Sequence, residues 1–208
     1  MNLQKLFEIQ EGLDYHITKE HPVQEGEDRL AKKILALQVE LGELANEWRG
    51  FKFWSHDKEP RRKKREKCPV CNGNGIVSMG EGVRGIKVCP HCDSGGIKTT
   101  YPLLEEFVDC LHFILSIGLE IGVCPEELYV EPIFCANVTE QFIDLFYEVS
   151  LLRYEERNGR LYEDYLRYDL VLEHFVGLGK LLGFTWEQIE ESYFEKNRIN
   201  HERQNNGY

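Results

Sequence analysis

An all-α core of five or six helices, interrupted once by a loop-rich insert, is the fold that this sequence predicts. Two observations predict it. Over most of the 208 residues, apolar side chains recur three and four positions apart, the period of a helix with one buried face. Between Ser55 and Thr100 that period vanishes, and the stretch holds a basic run, many glycines and two C-P-x-C pairs. Outside the insert the sequence carries no strand alternation and no internal repeat.

The elements follow in order. Leu3, Leu6, Phe7, Leu13 and Ile17 sit at helical spacing, and His21-Pro22 ends that first helix, because a proline disfavours helical geometry in the residue before it. Leu30, Ile34, Leu37, Leu41, Leu44 and Trp48 step by fours and threes along a second, core-facing helix that closes near Gly50. After the insert, Pro102 suits a first helical turn, where no N–H is needed. Leu104, Phe107, Leu111, Ile114 and Gly118 then share one face up to about Gly122. Asn137 and Glu140 have capping-box spacing and open a helix carrying Phe142, Leu145, Phe146, Val149 and Leu152. A further helix spans about residues 161–182 and stops at Gly183. The last starts at Thr185, with Gln188 three residues on, and runs towards Asn200. The chain is thus expected to divide into a core of residues 1–55 and 100–208 and an insert of residues 56–99.

Composition narrows the function classes. At 42% hydrophobic and 29% charged residues the chain is an ordinary globular one, not disordered or fibrous. No apolar run approaches the roughly 20 residues of a membrane span, and the first dozen residues lack a basic then apolar leader, so no membrane partner and a cytoplasmic location are expected. The net charge of −11 disfavours nucleic-acid binding by the body of the protein. Residues 55–100 hold ten Lys/Arg against five Asp/Glu, a local +5 that leaves −16 for the rest, and this split suggests two units with different tasks.

Two carboxylate pairs carry the chemistry. Glu40 and Glu43 are three apart on the second helix, with Glu47 four further on, and Glu106 and Asp109 are three apart on the third. Each pair projects from one side of its helix at the margin of an apolar stripe. A carboxylate there is partly desolvated, which is costly unless a cation compensates. Two helices presenting such pairs can build a four-carboxylate cage. No histidine stands where a di-iron site needs one, and an all-oxygen set suits Mg²⁺ with phosphates and water. The expected chemistry is metal-assisted attack of water on a phosphoryl group; for either pair alone, the plain alternative is a solvated acidic face. Lys196, Asn200 and Arg203, spaced four and three, share one helix face and offer donors to phosphate, sugar or base.

In the insert, Cys68, Cys71, Cys89 and Cys92 form C-x₂-C-x₁₇-C-x₂-C, the spacing of a tetrahedral Cys₄ zinc site. With all four positions filled by protein, that Zn²⁺ is expected to be structural, and an insert this poor in apolar residues needs it to fold. Six of the seven residues 61–67 are basic, a surface for nucleic acid, a regulatory nucleotide or an acidic partner, or a solvated linker. Cys110, Cys124 and Cys135 stand singly among apolar neighbours and read as core cysteines.

Residues 40–48, beginning Glu40-Leu41-Gly42-Glu43, then Phe51-Lys52-Phe53-Trp54-Ser55, then residues 105–113 with Glu106 and Asp109, resemble the dimeric all-α dUTPases of the MazG-like nucleotide pyrophosphohydrolases. Gln10-Glu11-Gly12-Leu13-Asp14 and residues 196–204 look like two further motifs of that branch. The resemblance implies a MazG-like helical bundle acting as a homodimer, hydrolysing dUTP, and dUDP as well, to dUMP, with pyrophosphate released from dUTP. It implies that Glu40, Glu43, Glu106 and Asp109 hold catalytic Mg²⁺, one glutamate also orienting the attacking water. It further implies that Gln10 contacts the uracil edge, Phe113 packs on the base, Lys52 and Trp54 line the nucleotide pocket, and Lys196, Asn200 and Arg203 close over sugar and phosphates. Where the family motif has Asn this chain has Asp14, which cannot donate an amide hydrogen bond; if Asp14 faces the base, either uracil selection rests on Gln10 and Asn200 or discrimination is looser. The alternatives are the same chemistry on another nucleotide such as dCTP, and a non-enzymatic zinc adaptor that binds nucleic acid.

Overall fold

The helical periodicities become six α-helices among residues 2–78, 85–92, 95–157 and 161–207, which the computed structural model describes. They are α1 (Leu3–Glu20), α2 (Arg29–Trp48), α3 (Pro102–Ile121), α4 (Val138–Arg157), α5 (Leu161–Leu181) and α6 (Trp186–Asn205). Local chemistry sets their ends. The side chains of Asn2 and Asp28 accept the backbone N–H groups of Lys5 and Ala31 at the starts of α1 and α2. α3 stops at Gly122, whose φ of 80° lies in the left-handed region that glycine occupies without a Cβ clash. Asn137 accepts the Glu140 N–H ahead of α4, and Thr185 and Gln188 cap α6 reciprocally. α6 continues to Asn205, five residues past the expected Asn200.

α3 is the central helix. α1, α2, α5 and α6 pack against it, and α4 joins through α2 and α5. Phe107 of α3 stacks on Phe175 of α5 at 4.2 Å, and Trp48 packs on Phe142 of α4 as a core aromatic. Gly118 has a steric reason for its identity: a Cβ there would stand 2.5 Å from the Tyr168 hydroxyl, which donates to the Ile114 carbonyl. Among the described residues, no helix is long and apolar enough to cross a membrane.

The insert contains four short strands. β1 (Lys64–Lys67) pairs antiparallel with β4 (Ile97–Thr100), and β2 (Ile76–Ser78) with β3 (Ile86–Val88). β1 and β3 are exposed along their whole length, so no buried face imprinted an alternation on the sequence. The root of the insert is fastened to the core by backbone bonds from Arg61 N–H to the Glu47 carbonyl and from Leu103 N–H to the Arg61 carbonyl. The Arg61 guanidinium also pairs with the Glu47 carboxylate at 3.1 Å, so Glu47 serves this root.

One cysteine reading needs correction. Cys110 is buried in α3, but Cys124 is exposed and Cys135 only partly buried. Both lie in the connection between α3 and α4, which has no periodic apolar face to receive a thiol, and they donate instead to Glu126 and Asp144.

Candidate active site

A cleft of about 500 Å³ opens between α1, α2, α3 and α6. Its polar floor is set by helical spacing. On α1, Gln10 and Asp14 are one turn apart; on α3, Asp109, His112 and Ser116 follow each other at three and four residues; on α6, Lys196, Asn200 and Arg203 repeat the pattern. Phe113 and Glu40 complete the wall.

At one end lie the acids. Carboxylate oxygens of Glu40, Glu106 and Asp109 come within 4.8 Å of one another across the α2–α3 contact. Glu43 lies outside that trio, yet its charge helps to raise the affinity of both Glu40 and Glu106 for protons. Burial and the neighbouring Asp109, Glu43 and Glu40 charges push the Glu106 carboxyl up to about 7. Burial raises Asp109 too, against the Lys196 ammonium, which donates to its Oδ2 at 2.5 Å. An acidic cluster this desolvated, built from oxygen donors only, can hold a hard divalent cation.

The other end is a hydrogen-bonded pocket. Gln10 is buried, and its Nε2 donates to Asp14 Oδ1 at 2.7 Å, a carboxylate being able only to accept. Its Oε1 therefore accepts twice, from the Tyr193 hydroxyl and from His112 Nδ1, each at 2.8 Å. His112 must then carry its hydrogen on Nδ1, which leaves Nε2 an acceptor. That atom is buried and finds no partner among the described residues. Burial, helped by Lys196, lowers the His112 pKa to about 3, so the ring is neutral; it stacks on Tyr193 at 4.2 Å. Asp14 Oδ2 accepts from Ser116 Oγ at 2.5 Å and from Lys33 Nζ at 3.3 Å. Lys33 also pairs with Glu120, so one ammonium bridges the two carboxylates.

Of the residues singled out in the sequence, Gln10, Asp14, Glu40, Asp109, Phe113, Lys196, Asn200 and Arg203 line this cleft, with Glu106 and Glu43 beside its acidic end. Lys52 and Trp54 do not line it. They follow the C-terminus of α2, whose Arg49 takes φ 65° and is clamped by Asp57, and the eight residues from Glu40 to Trp48 already carry the chain about 12 Å along the helix. Phe53 and Trp54 are 82% and 66% exposed there, in edge-to-face contact with each other. The sequence reading missed His112, Ser116, Tyr193 and Lys33. The available signal was position: His112 and Ser116 continue the helix face of Asp109, and Tyr193 precedes Lys196 by three.

In the insert, the four paired cysteines gather. Cys68 and Cys89 Sγ are 3.9 Å apart and Cys71 and Cys92 Sγ 3.6 Å, close to the edge of about 3.8 Å that bonds of about 2.3 Å give a tetrahedral zinc–sulfur site. The Gly75 N–H donates to Cys71 Sγ, and a Cβ on Gly96 would lie 2.1 Å from the Gly73 carbonyl oxygen, so the two knuckles meet backbone to backbone. His91 is not among the clustered donors, and among the described residues no cysteine is in a disulfide.

An all-α fold whose cleft sets a carboxylate cluster against a cationic helix face and a hydrogen-bonded polar pocket has the parts of a nucleotide hydrolase. A family model for dUTPase matches residues 2–67 and 95–208, and the chain belongs to that family. It is accordingly a dUTP diphosphatase. No curated protein matches the chain.

Proposed function

We propose that the enzyme converts dUTP to dUMP and pyrophosphate, and accepts dUDP in the same cleft, with Glu40, Glu43, Glu106 and Asp109 as the seat of catalytic Mg²⁺. The observation that carries this reading is the meeting, in one cleft of a dUTPase-family chain, of an oxygen-only cluster with a pocket built on a neutral histidine. Mg²⁺ bound there supplies charge neutralisation for the phosphates and acidifies a bound water. A glutamate of the cluster accepts a hydrogen bond from the attacking water and orients it. Lys196 exchanges its bond to Asp109 for a phosphate oxygen, and Asn200 and Arg203, on the same face of α6, donate to sugar and phosphate.

Base selection follows from the pocket. Phe113 packs on the base, and His112 Nε2 accepts from the N3–H of uracil. Cytosine has no hydrogen at N3, so a fixed buried acceptor there opposes dCTP. Gln10 positions His112 and Asp14 rather than donating freely. Asp14, already accepting from Gln10, Ser116 and Lys33, offers little to the exocyclic amine of cytosine. This favours dUTP over dCTP despite the carboxylate.

The enzyme acts as a homodimer in this reading. The exposed Phe53 and Trp54 support it, since paired aromatics in water mark an interface, and Lys52 and Trp54 then serve the nucleotide pocket from a subunit contact. Zn²⁺ in the Cys₄ cluster is structural, and residues 56–99 form an accessory that docks an acidic partner or nucleic acid. The unpaired thiols suit a reducing compartment, the cytoplasm. The test is product chromatography on dUTP, dCTP, dTTP and UTP, each with Mg²⁺ and with a chelator, alongside Glu43→Gln. Mg²⁺-dependent dUMP from dUTP alone, lost in the variant, is expected; turnover of dCTP at a comparable rate would overturn the pocket assignment.

A further inference from the structure

We propose a second transition-metal site, outside both the cleft and the Cys₄ cluster, at Cys135, Asp144 and His174, taking a borderline divalent cation such as Zn²⁺. Cys135 Sγ, a carboxylate oxygen of Asp144 and a ring nitrogen of His174 lie within 4.8 Å of one another, although they come from three places: the connection after α3, α4 and α5. Cys135 Sγ and Asp144 Oδ2 are 3.2 Å apart. Ligands at about 2.3 Å for sulfur and about 2.0 Å for oxygen stand about 3.5 Å apart on a tetrahedral zinc, so the pair needs little adjustment.

The surroundings are built as a metal site needs them. His174 is buried, and its Nδ1 donates to the Leu170 carbonyl at 2.9 Å. That bond fixes the ring and leaves the lone pair of Nε2 for a ligand, the way metal-binding histidines are oriented by their outer partner. Gln141 is completely buried and ties the two backbones that carry thiol and imidazole. Its Oε1 accepts from the Cys135 N–H at 2.8 Å, and its Nε2 donates to the carbonyls of Ile133 at 2.9 Å and His174 at 2.8 Å. Gly177 lets the same segment lie against α5, since a Cβ there would stand 2.0 Å from the Ile133 carbonyl oxygen. A sulfur, nitrogen and oxygen donor set selects Zn²⁺ over Mg²⁺ or Ca²⁺. Asp144 is exposed, so solvent fills the fourth position. The ion fastens the α3–α4 connection to the α4–α5 pair and takes no part in hydrolysis, because none of its three ligands lines the cleft.

The test is thiol alkylation of the full chain, read peptide by peptide by mass spectrometry, with excess Zn²⁺ and with chelator. Zn²⁺ is expected to slow alkylation of Cys135 at least tenfold and to leave Cys124, exposed in the same connection, unaffected. Asp144→Asn, at an exposed position that keeps the fold, should abolish the protection, and Cys135→Ser should lower the zinc content by one ion per chain. Equal alkylation rates of Cys135 with and without Zn²⁺, or a zinc content unchanged in Cys135→Ser, would overturn the proposal.

Discussion

His112, whose pKa burial lowers to about 3, links the cleft to stability. In the unfolded chain its pKa is near 6.5. Between roughly pH 6.5 and 3 the unfolded state therefore binds the extra proton, and stability falls as pH falls, by up to about 1.4 kcal/mol per pH unit for this one group. Above pH 6.5 the ring contributes no slope. The urea midpoint of the wild type should thus fall more steeply from pH 6.5 to 5 than that of His112→Asn; equal slopes would mean that the ring is charged in the fold. Glu106 makes the opposite case. Its carboxylate is destabilised by burial and by three acidic neighbours, so in metal-free protein Glu106→Gln should raise Tm. The group is half exposed, and solvent screening holds the gain to about 1 kcal/mol or less. Hydrolysis should nonetheless fall by at least about 10-fold, since losing even an outer partner of a metal ligand costs roughly 10–100-fold. A lower Tm in that variant would make Glu106 a structural acid.

Helix propensity and packing disagree at Gly118, in the last turn of α3. Alanine is favoured over glycine by about 1 kcal/mol in a helix interior. The added Cβ would meet the Tyr168 hydroxyl oxygen at 2.5 Å and Phe7 at 2.9 Å, both on fully buried rings that cannot swing aside. Overpacking of this kind costs about 1–3 kcal/mol, so Gly118→Ala should lower stability despite its better propensity, as a denaturant melt would show. The same helix shows how much was legible. Its apolar period, its proline start and its glycine stop were all in the sequence, and its acids Glu106 and Asp109 were found because they flank that period. His112 and Ser116 share the face of Asp109 but are not legible there, because a single polar residue on an apolar helix gives no sign of whether it meets a partner across the bundle. Lys52 and Trp54 illustrate a different limit. Their assignment rests on a motif, and a motif does not say on which side of a helix end a turn will emerge. The strands of the insert leave no trace because pairing between exposed residues such as Glu66 and Lys98 imposes no pattern.

Across the whole molecule, charge and connectivity both separate the insert from the core. The insert carries the basic excess of a chain whose net charge is −11. The core anchors the insert's root through Arg61, Glu47 and Leu103, with bonds that do not involve the cysteines. Because Lys64 stands opposite Thr100 in an antiparallel ladder, the chain leaves and re-enters the core about 5 Å apart, a gap that a two-residue turn can bridge. Removing residues 66–98 and closing the gap with such a turn should therefore leave α1 to α6 folded. No cleft-lining residue falls within the deleted segment, so kcat/KM for dUTP should stay within about twofold of the full chain. Chelation of the intact protein should act in parallel, melting the insert as a separate step in far-UV circular dichroism while the helical transition persists, since a metal-dependent module of this size folds with its ion. A deletion protein that keeps its helical melt yet loses hydrolysis would assign the insert a part in the active site, either through the cleft of its own chain or by holding the proposed dimer together; sizing the deletion protein by light scattering separates those two cases.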